Sequence, residues 1–565
     1  MGSHRRKGVA ALLGLVLAVT ACTQQRETTG ERASSGPASS GAPRILTLAV
    51  PREPDTWNTD ITLVTRGGGT STVGYIGHQK LVVQNDNQSY VPEVAVEQIS
   101  VEKGTWRINP DGSMDVTWRI RPNVQWHDGM PFTAADLMFT FSVIKDAEIP
   151  NVIGAPLRLM QSASAPDPHT FVIHWSGPYV DADQAPGLTL MPRHLLEEAF
   201  RTDKAAFPNH PWMTTEFVGL GPYRLVRWES GVLLEFARFE GYYKGRPPLD
   251  TVYVRLISDE TTMVAAILAG QLDVLPPVGI DLDTAVDVRR RWEGTGNTVG
   301  GKLSGGFLIV EMQHRPEYAR PTVGLRHTPV RQAFYQAIDR SQMAEVMNHG
   351  LAPPADSWFF PGHELRAQVE SSIPQFPYDT RRSTELLGQA GWSRGADGIL
   401  LHQPSGERFE VQIGGTRGDE KLLAIVADSW RAIGAQVEEL AIGSDRARDL
   451  EFLARLPGGW ITTPRFYQLY TDRYHSQSAP TAATRWTGRN RGGYSNPTVD
   501  GLLDRLVVTV SANERLSLHR ELLKEQGGDL AIMPLYWEYD PFFITKGVTG
   551  VATGGAWNFF EWGKE

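Results

Sequence analysis

A single cysteine, Cys22, stands among 565 residues, so no disulfide can form within the chain and no cysteine pair is present to bind a metal. No block rich in Lys and Arg stands out, and a formal net charge of -9 offers little to the phosphates of a nucleic acid. Catalytic signatures are missing too: there is no His-Glu-x-x-His, no phosphate loop ending in Gly-Lys-Ser/Thr, and no Gly-x-Ser-x-Gly elbow. No local pattern gathers the 14 histidines and 64 acidic residues, so the sequence points to no enzyme class, no cofactor and no metal.

What is present begins with a basic start, His4 to Lys7, followed by an apolar run from Val9 to Ala21. That run has about 13 residues, short of the roughly 20 a spanning helix needs, and reads as a signal peptide over residues 1–22. Val19-Thr20-Ala21-Cys22 resembles a lipobox, which would make Cys22 the lipidated first residue of the mature protein; a secreted protein with an unpaired thiol is the alternative. Residues 23–43, rich in Ser, Thr, Gly and Ala, read as a flexible tether. The expected location is extracytoplasmic, on the periplasmic side or outer face of the cell membrane. Over the whole chain, 41% hydrophobic and 21% charged residues describe a soluble globular protein, and its length permits two to four domains.

That body is organised around Asp115 to Lys145. Val116, Trp118 and Ile120 alternate with Thr117, Arg119 and Arg121, the period of a strand with one buried face. After a turn at Asp128-Gly129, Thr133 and Asp136 form a capping-box pair, and Leu137, Phe141 and Ile144 predict a helix. His127 and Asp128 are read as residues that shape the turn. Further along, Asp259 and Gly270 bracket a helix, Phe307 to Val310 reads as a short strand, Thr328-Pro329 as cap and first turn of a helix, and Gly434 as a helix stop.

Several strings carry a resemblance: Trp126-His127-Asp128-Gly129 with Pro131-Phe132-Thr133-Ala134-Ala135-Asp136, Gly219-Leu220-Gly221-Pro222-Tyr223, Pro329 to Ala333, Gly493 to Pro497 with Asp500, and Met533 to Trp537. Together they resemble the extracytoplasmic solute-binding proteins of ABC importers, the oligopeptide, dipeptide and nickel class called family 5, over about Arg44 to Phe543. The resemblance implies an α/β, periplasmic-binding-protein-like two-lobed fold of the large type II class, with an extra domain inserted in the first lobe. The expected division is lobe 1 at 44–80 and 218–304 with a C-terminal return at 527–565, the extra domain at 81–217, and lobe 2 at 305–526.

The function implied is capture of a peptide or other small organic solute between two lobes, for delivery to a membrane permease whose ATPase supplies the energy. The chain would act as a monomer. Peptide-binding relatives often carry a Trp followed three residues later by an Asp; here Trp460 is followed by Thr463, whose neutral hydroxyl cannot supply the charge-assisted bond an ammonium prefers. Candidate ligand residues are Trp460, Thr463, Trp358, Glu311 as a substitute acid, Tyr467, and Thr70 at the end of the cluster Arg66-Gly67-Gly68-Gly69-Thr70. For Trp460 and Trp358, ordinary packing is the competing account. A surface lipoprotein hydrolase and the binding module of a sensor system are the alternative functions.

Overall fold

The computed structural model describes residues 42–565 apart from 62–69, 151–154, 186–187, 444–445, 466–472 and 552–555. Cys22, the expected signal peptide and nearly all of the tether lie outside the described residues. Among the described residues no helix is long and apolar enough to cross a membrane.

Two long strands, Thr298–Met312 and Ile532–Ile544, pair antiparallel and form the spine of a ten-stranded sheet. On one side of them lie Val274–Leu275, then Ile45–Val50, Thr251–Leu256, Leu233–Arg238 and Tyr223–Glu229; on the other lie Gly459–Thr462, Glu410–Thr416 and Gln436–Ile442. The parallel pairs Ile45–Val50 with Thr251–Leu256, and Glu410–Thr416 with Gln436–Ile442, put an α/β unit in each half. Among the described residues, only the two long strands run through both.

This corrects the short strand expected at Phe307–Val310, which is the second part of a 15-residue strand. Its first part carries Gly300 and Gly301, which weaken a strand pattern. A β carbon at Gly300 would lie 2.4 Å from the Phe542 ring, and one at Gly301 2.1 Å from Tyr539, so glycine here makes room for aromatic rings. Register breaks between Leu303, opposite Tyr539, and Phe307, opposite Trp537, leaving Ser304, Gly305 and Gly306 against Glu538 alone.

The organising stretch folds as its pattern dictates. Met114–Arg119 belongs to a four-stranded sheet with Trp106–Ile108, Met160–Asp167 and Thr170–Trp175, and Val116, Trp118 and Ile120 are buried. Thr133 caps the helix Ala134–Lys145, with Asp136 returning the reciprocal bond. Losing one such cap costs about 1 kcal/mol, so Thr133→Ala should lower unfolding stability by about that much in chemical denaturation.

His127 does shape local structure, at longer range than its turn. Its Nδ1 accepts from the Gly219 N–H at 3.1 Å and its Nε2–H donates to the Gly221 carbonyl at 3.0 Å. Glycine at these two positions suggests backbone angles closed to other residues; instead both keep ordinary angles and permit close approach. A β carbon at Gly219 would sit 2.0 Å from the Gly77 carbonyl oxygen, and one at Gly221 2.4 Å from the Gly77 carbonyl carbon.

Two other strings have structural work. Arg331, in the helix Thr328–Gln336, is buried and bonds the backbone carbonyls of Asp529 (2.9 Å) and Leu325 (3.0 Å). Thr328 is the first helical residue, not the cap; its hydroxyl is spent on the Asp529 carboxylate, and His327 takes the cap position without a side-chain bond. Asn496 caps the helix Pro497–Val508.

Candidate functional site

The register break between the long strands gathers polar side chains at the passage between the halves. Ser304 accepts the Gly306 N–H at 3.0 Å and donates its hydroxyl to Glu538 at 3.1 Å. Gly305 has φ +79°, a conformation that glycine adopts freely, and a β carbon on Gly306 would stand 2.2 Å from a Glu538 carboxylate oxygen. The bulge and its glycines therefore make the space that Glu538 occupies.

Three further segments converge here. The chain continuing from Gly459–Thr462 runs beside the bulge: Pro464 accepts the Phe307 N–H at 3.2 Å, and the Arg465 guanidinium donates to the Ser304 carbonyl at 2.9 Å. Thr463 is exposed beside the Glu538 carboxylate, and its hydroxyl favours the charged form of that group. From the first half, the hairpin of Val82–Gln84 and Tyr90–Pro92 reaches over, with Asp86 pairing Lys302 at 3.0 Å and accepting the Trp557 indole N–H at 2.9 Å. Lys302 stands opposite Asp540 in the ladder.

Glu538 and Asp540 are half-buried, and burial pushes both carboxyls above their ordinary values. The bond from Ser304 and the charge of Arg465 oppose the shift at Glu538; Arg465 and Lys302 oppose it at Asp540. A carboxylate held this way prefers a positively charged partner, because each step that neutralises it recovers part of the burial cost. Among the described residues no group of three or more His, Cys, Asp or Glu is arranged to hold a metal ion.

Of the sequence candidates among the described residues, Thr463 alone stands in this cluster. Glu311 is 6% exposed and saturated: Arg473 donates to it at 3.0 Å and the Arg491 backbone N–H at 2.9 Å. In this structure it serves as the buried partner of Arg473. Trp460 lies opposite Glu311 in the ladder, one residue out of phase with Ile461, and packs in a cluster with Ile442, Leu453 and Leu456, its ring over Gly414. Trp358 is buried in the second half, donating its indole N–H to Gln526. Packing accounts for both tryptophans. Tyr467 and the cluster Arg66 to Gly69 lie outside the described residues; Thr70 opens the helix Thr70–Gly77, and its side chain is likewise not described.

Sequence reasoning missed Glu538, Asp540, Lys302 and Asp86. A signal existed in Trp537-Glu538-Tyr539-Asp540, where two acids at every second position interrupt an apolar strand and mark a polar face.

Residues 100–492 match the family model of bacterial extracellular solute-binding proteins, family 5 (middle). The chain belongs to this family. A putative ABC transporter peptide-binding protein of Brucella ovis is 25% identical over 338 residues, covering 59% of this chain and 58% of that protein. The oligopeptide-binding protein AppA of Bacillus subtilis is 23% identical over 340 residues, covering 58% of each. The matched part thus spans less than two thirds of either relative. Among solved structures, NikZ of Campylobacter jejuni in complex with Ni(L-His) superposes with a TM-score of 0.68 at 21% identity, covering 92% of this chain and 99% of NikZ. That likeness establishes the two-lobed α/β fold of periplasmic binding proteins. Family 5 proteins are solute-binding proteins rather than enzymes, and work outside the cytoplasm.

Proposed function

We propose that this chain is the substrate-binding lipoprotein of an ABC importer, anchored through Cys22, that captures a peptide or other small organic solute between its lobes and delivers it to a permease driven by a separate ATPase. The observation that carries this reading is the pair of crossing strands, which joins two α/β halves and carries Glu538, Asp540 and Lys302 at the passage between them. Such a passage is where a rigid-body closure buries a solute against a few placed polar groups. The lobe boundary is proposed at 304/305, inside the bulge, with residues 81–217 as the inserted domain and 527–565 as the return to lobe 1.

Relatives are named for peptides, whose amino terminus is an ammonium, and the acidic pair Glu538 and Asp540 suits a cationic group. The solute class proposed is therefore an amine-bearing one, with Glu538 as its anchor and Thr463 as the hydroxyl that orients that carboxylate. The lobes act as one monomeric receptor.

A thermal-shift screen of residues 23–565 against short peptides, sugars and metal chelates tests this. Binding only the native state raises the melting temperature, by the equivalent of about 2.7 kcal/mol at a hundredfold excess over Kd. The expected result is a saturable rise with amine-bearing solutes and none with neutral sugars. A rise with sugars alone would overturn the cationic solute class, and turnover of a substrate panel would overturn the receptor reading.

A further inference from the structure

The two halves also touch far from the hinge in sequence, at the turn between the helices Pro497–Val508 and Ala512–Gly528. Both helices belong to the second half, where Leu502, Leu503, Leu506, Leu518 and Leu522 share its core. Val510, in the turn between them, instead belongs to the core of the first half and is 6% exposed. Beside it, the Val180 N–H donates to the Val507 carbonyl at 3.1 Å, a backbone bond from one half to the other. One apolar side chain is thus inserted across the boundary and held by a main-chain bond.

The receiving side is acidic. Asp181 precedes the short turn Ala182–Gln184 and Asp183 is its middle residue; Gln184 donates to Asp181 at 2.8 Å and Gln98 to Asp183 at 3.4 Å. Arg515, half-buried on the helix that follows Val510, is the cation acting on both carboxylates, and Tyr179 and Tyr90 are the other titratable neighbours.

We propose that Val510, with the Val507–Val180 backbone bond beside it, forms a latch that closes the cleft, with the Val180–Asp183 segment as its catch, that protonation of the catch favours the closed arrangement, and that Arg515 tempers this response. It rests on the reading that the halves move, and goes beyond it in saying what holds them together and what releases them. Burial raises Asp181 and pushes Asp183 up to about 7, with the neighbouring Asp181 charge adding to the rise at Asp183 and Arg515 opposing both. Opening returns the two carboxyls to water and to the ordinary carboxylate range. The closed arrangement therefore binds a proton that the open one does not, so closure is favoured as pH falls through about 7 and is resisted above it.

The test is a distance measurement on the full chain carrying Cys22→Ser, with fluorophores at Glu198→Cys and Lys524→Cys, both exposed and in opposite halves. Without added solute, lowering the pH from about 8 to about 6 should shift the open–closed equilibrium toward the shorter distance, by at most about tenfold per unit for one proton. Asp183→Asn, which keeps the shape and removes the titration, should flatten that response and populate the closed distance at the higher pH. Val510→Asp should favour the longer distance throughout. A distance that ignores pH in the parent protein, or a pH response unchanged in Asp183→Asn, overturns the latch. Because no solute is used, those outcomes are separate from failure of the thermal-shift screen, which bears on the solute and not on the catch.

Discussion

Replacing Glu311 by alanine should cost about 3–5 kcal/mol of folding stability, the size of effect expected when one partner of a buried ion pair is removed. The side chains of Glu311 and Arg473 are 5% and 9% exposed. Without the carboxylate, Arg473 keeps its charge in a nearly dry site, and its Nε, already buried without a hydrogen-bond partner, gains none. The Arg491 N–H loses its acceptor as well. Urea denaturation followed by fluorescence measures the loss. Replacing both ends, Glu311→Leu with Arg473→Met, should recover most of it, since the larger part of the penalty is an orphaned charge and not the worth of the pair. If Glu311 instead held ligand, the single substitution would abolish binding while leaving the denaturation midpoint nearly unchanged. The contacts of Glu311 predict the reverse.

The parts of the fold legible in the sequence are those whose cause is local. The box of Thr133 with Asp136 and the cap and stop at Asp259 and Gly270 each complete their hydrogen bonding within a few residues; the alternation of Val116, Trp118 and Ile120 needs distant strands for its bonds but shows its buried face in its own period, and all three form as read. The crossing strand was legible only in its second part, because Gly300 and Gly301 owe their identity to Phe542 and Tyr539 on a partner more than 200 residues away. The glycines at 219 and 221 failed for the same reason: their cause is the Gly77 backbone, not their own torsion angles.

The site was harder still, since Asp86, Lys302, Ser304, Thr463, Arg465 and Glu538 come from four separate segments. Size misled the choice of Trp460 and Trp358, whose rings fill core in a protein with 16 tryptophans. Strand geometry alone separates Trp460 from Thr463. Positions three apart on an extended chain point to opposite sides, so a chain that presents Thr463 at the hinge turns Trp460 away from it.

If Glu538 is the anchor for a cationic solute group, Glu538→Gln should weaken binding of the solute found by thermal shift by roughly 10- to 100-fold, the worth of a hydrogen bond to a charged partner. Glutamine fills the same space beside Gly306 and still accepts from Ser304 through its carbonyl, so the fold should hold and the loss should fall on affinity. The sign of the pH dependence gives a second readout. Burial raises the Glu538 carboxyl, and a protonated carboxyl offers no charge to an ammonium, so affinity should fall as the solution is acidified through that raised value. Titration calorimetry between about pH 7 and about pH 5 should show the fall in the parent protein and a smaller one in Glu538→Gln, because Asp540 is raised in the same way and titrates with the same sign. This slope opposes that of the latch, where acid favours closure, so Asp183→Asn should steepen the acid loss of affinity while Glu538→Gln reduces it. A Glu538→Gln protein that binds as tightly as its parent at neutral pH would remove the hinge carboxylate from the ligand site and leave Thr463 and Arg465, both exposed there, to hold a solute of other charge.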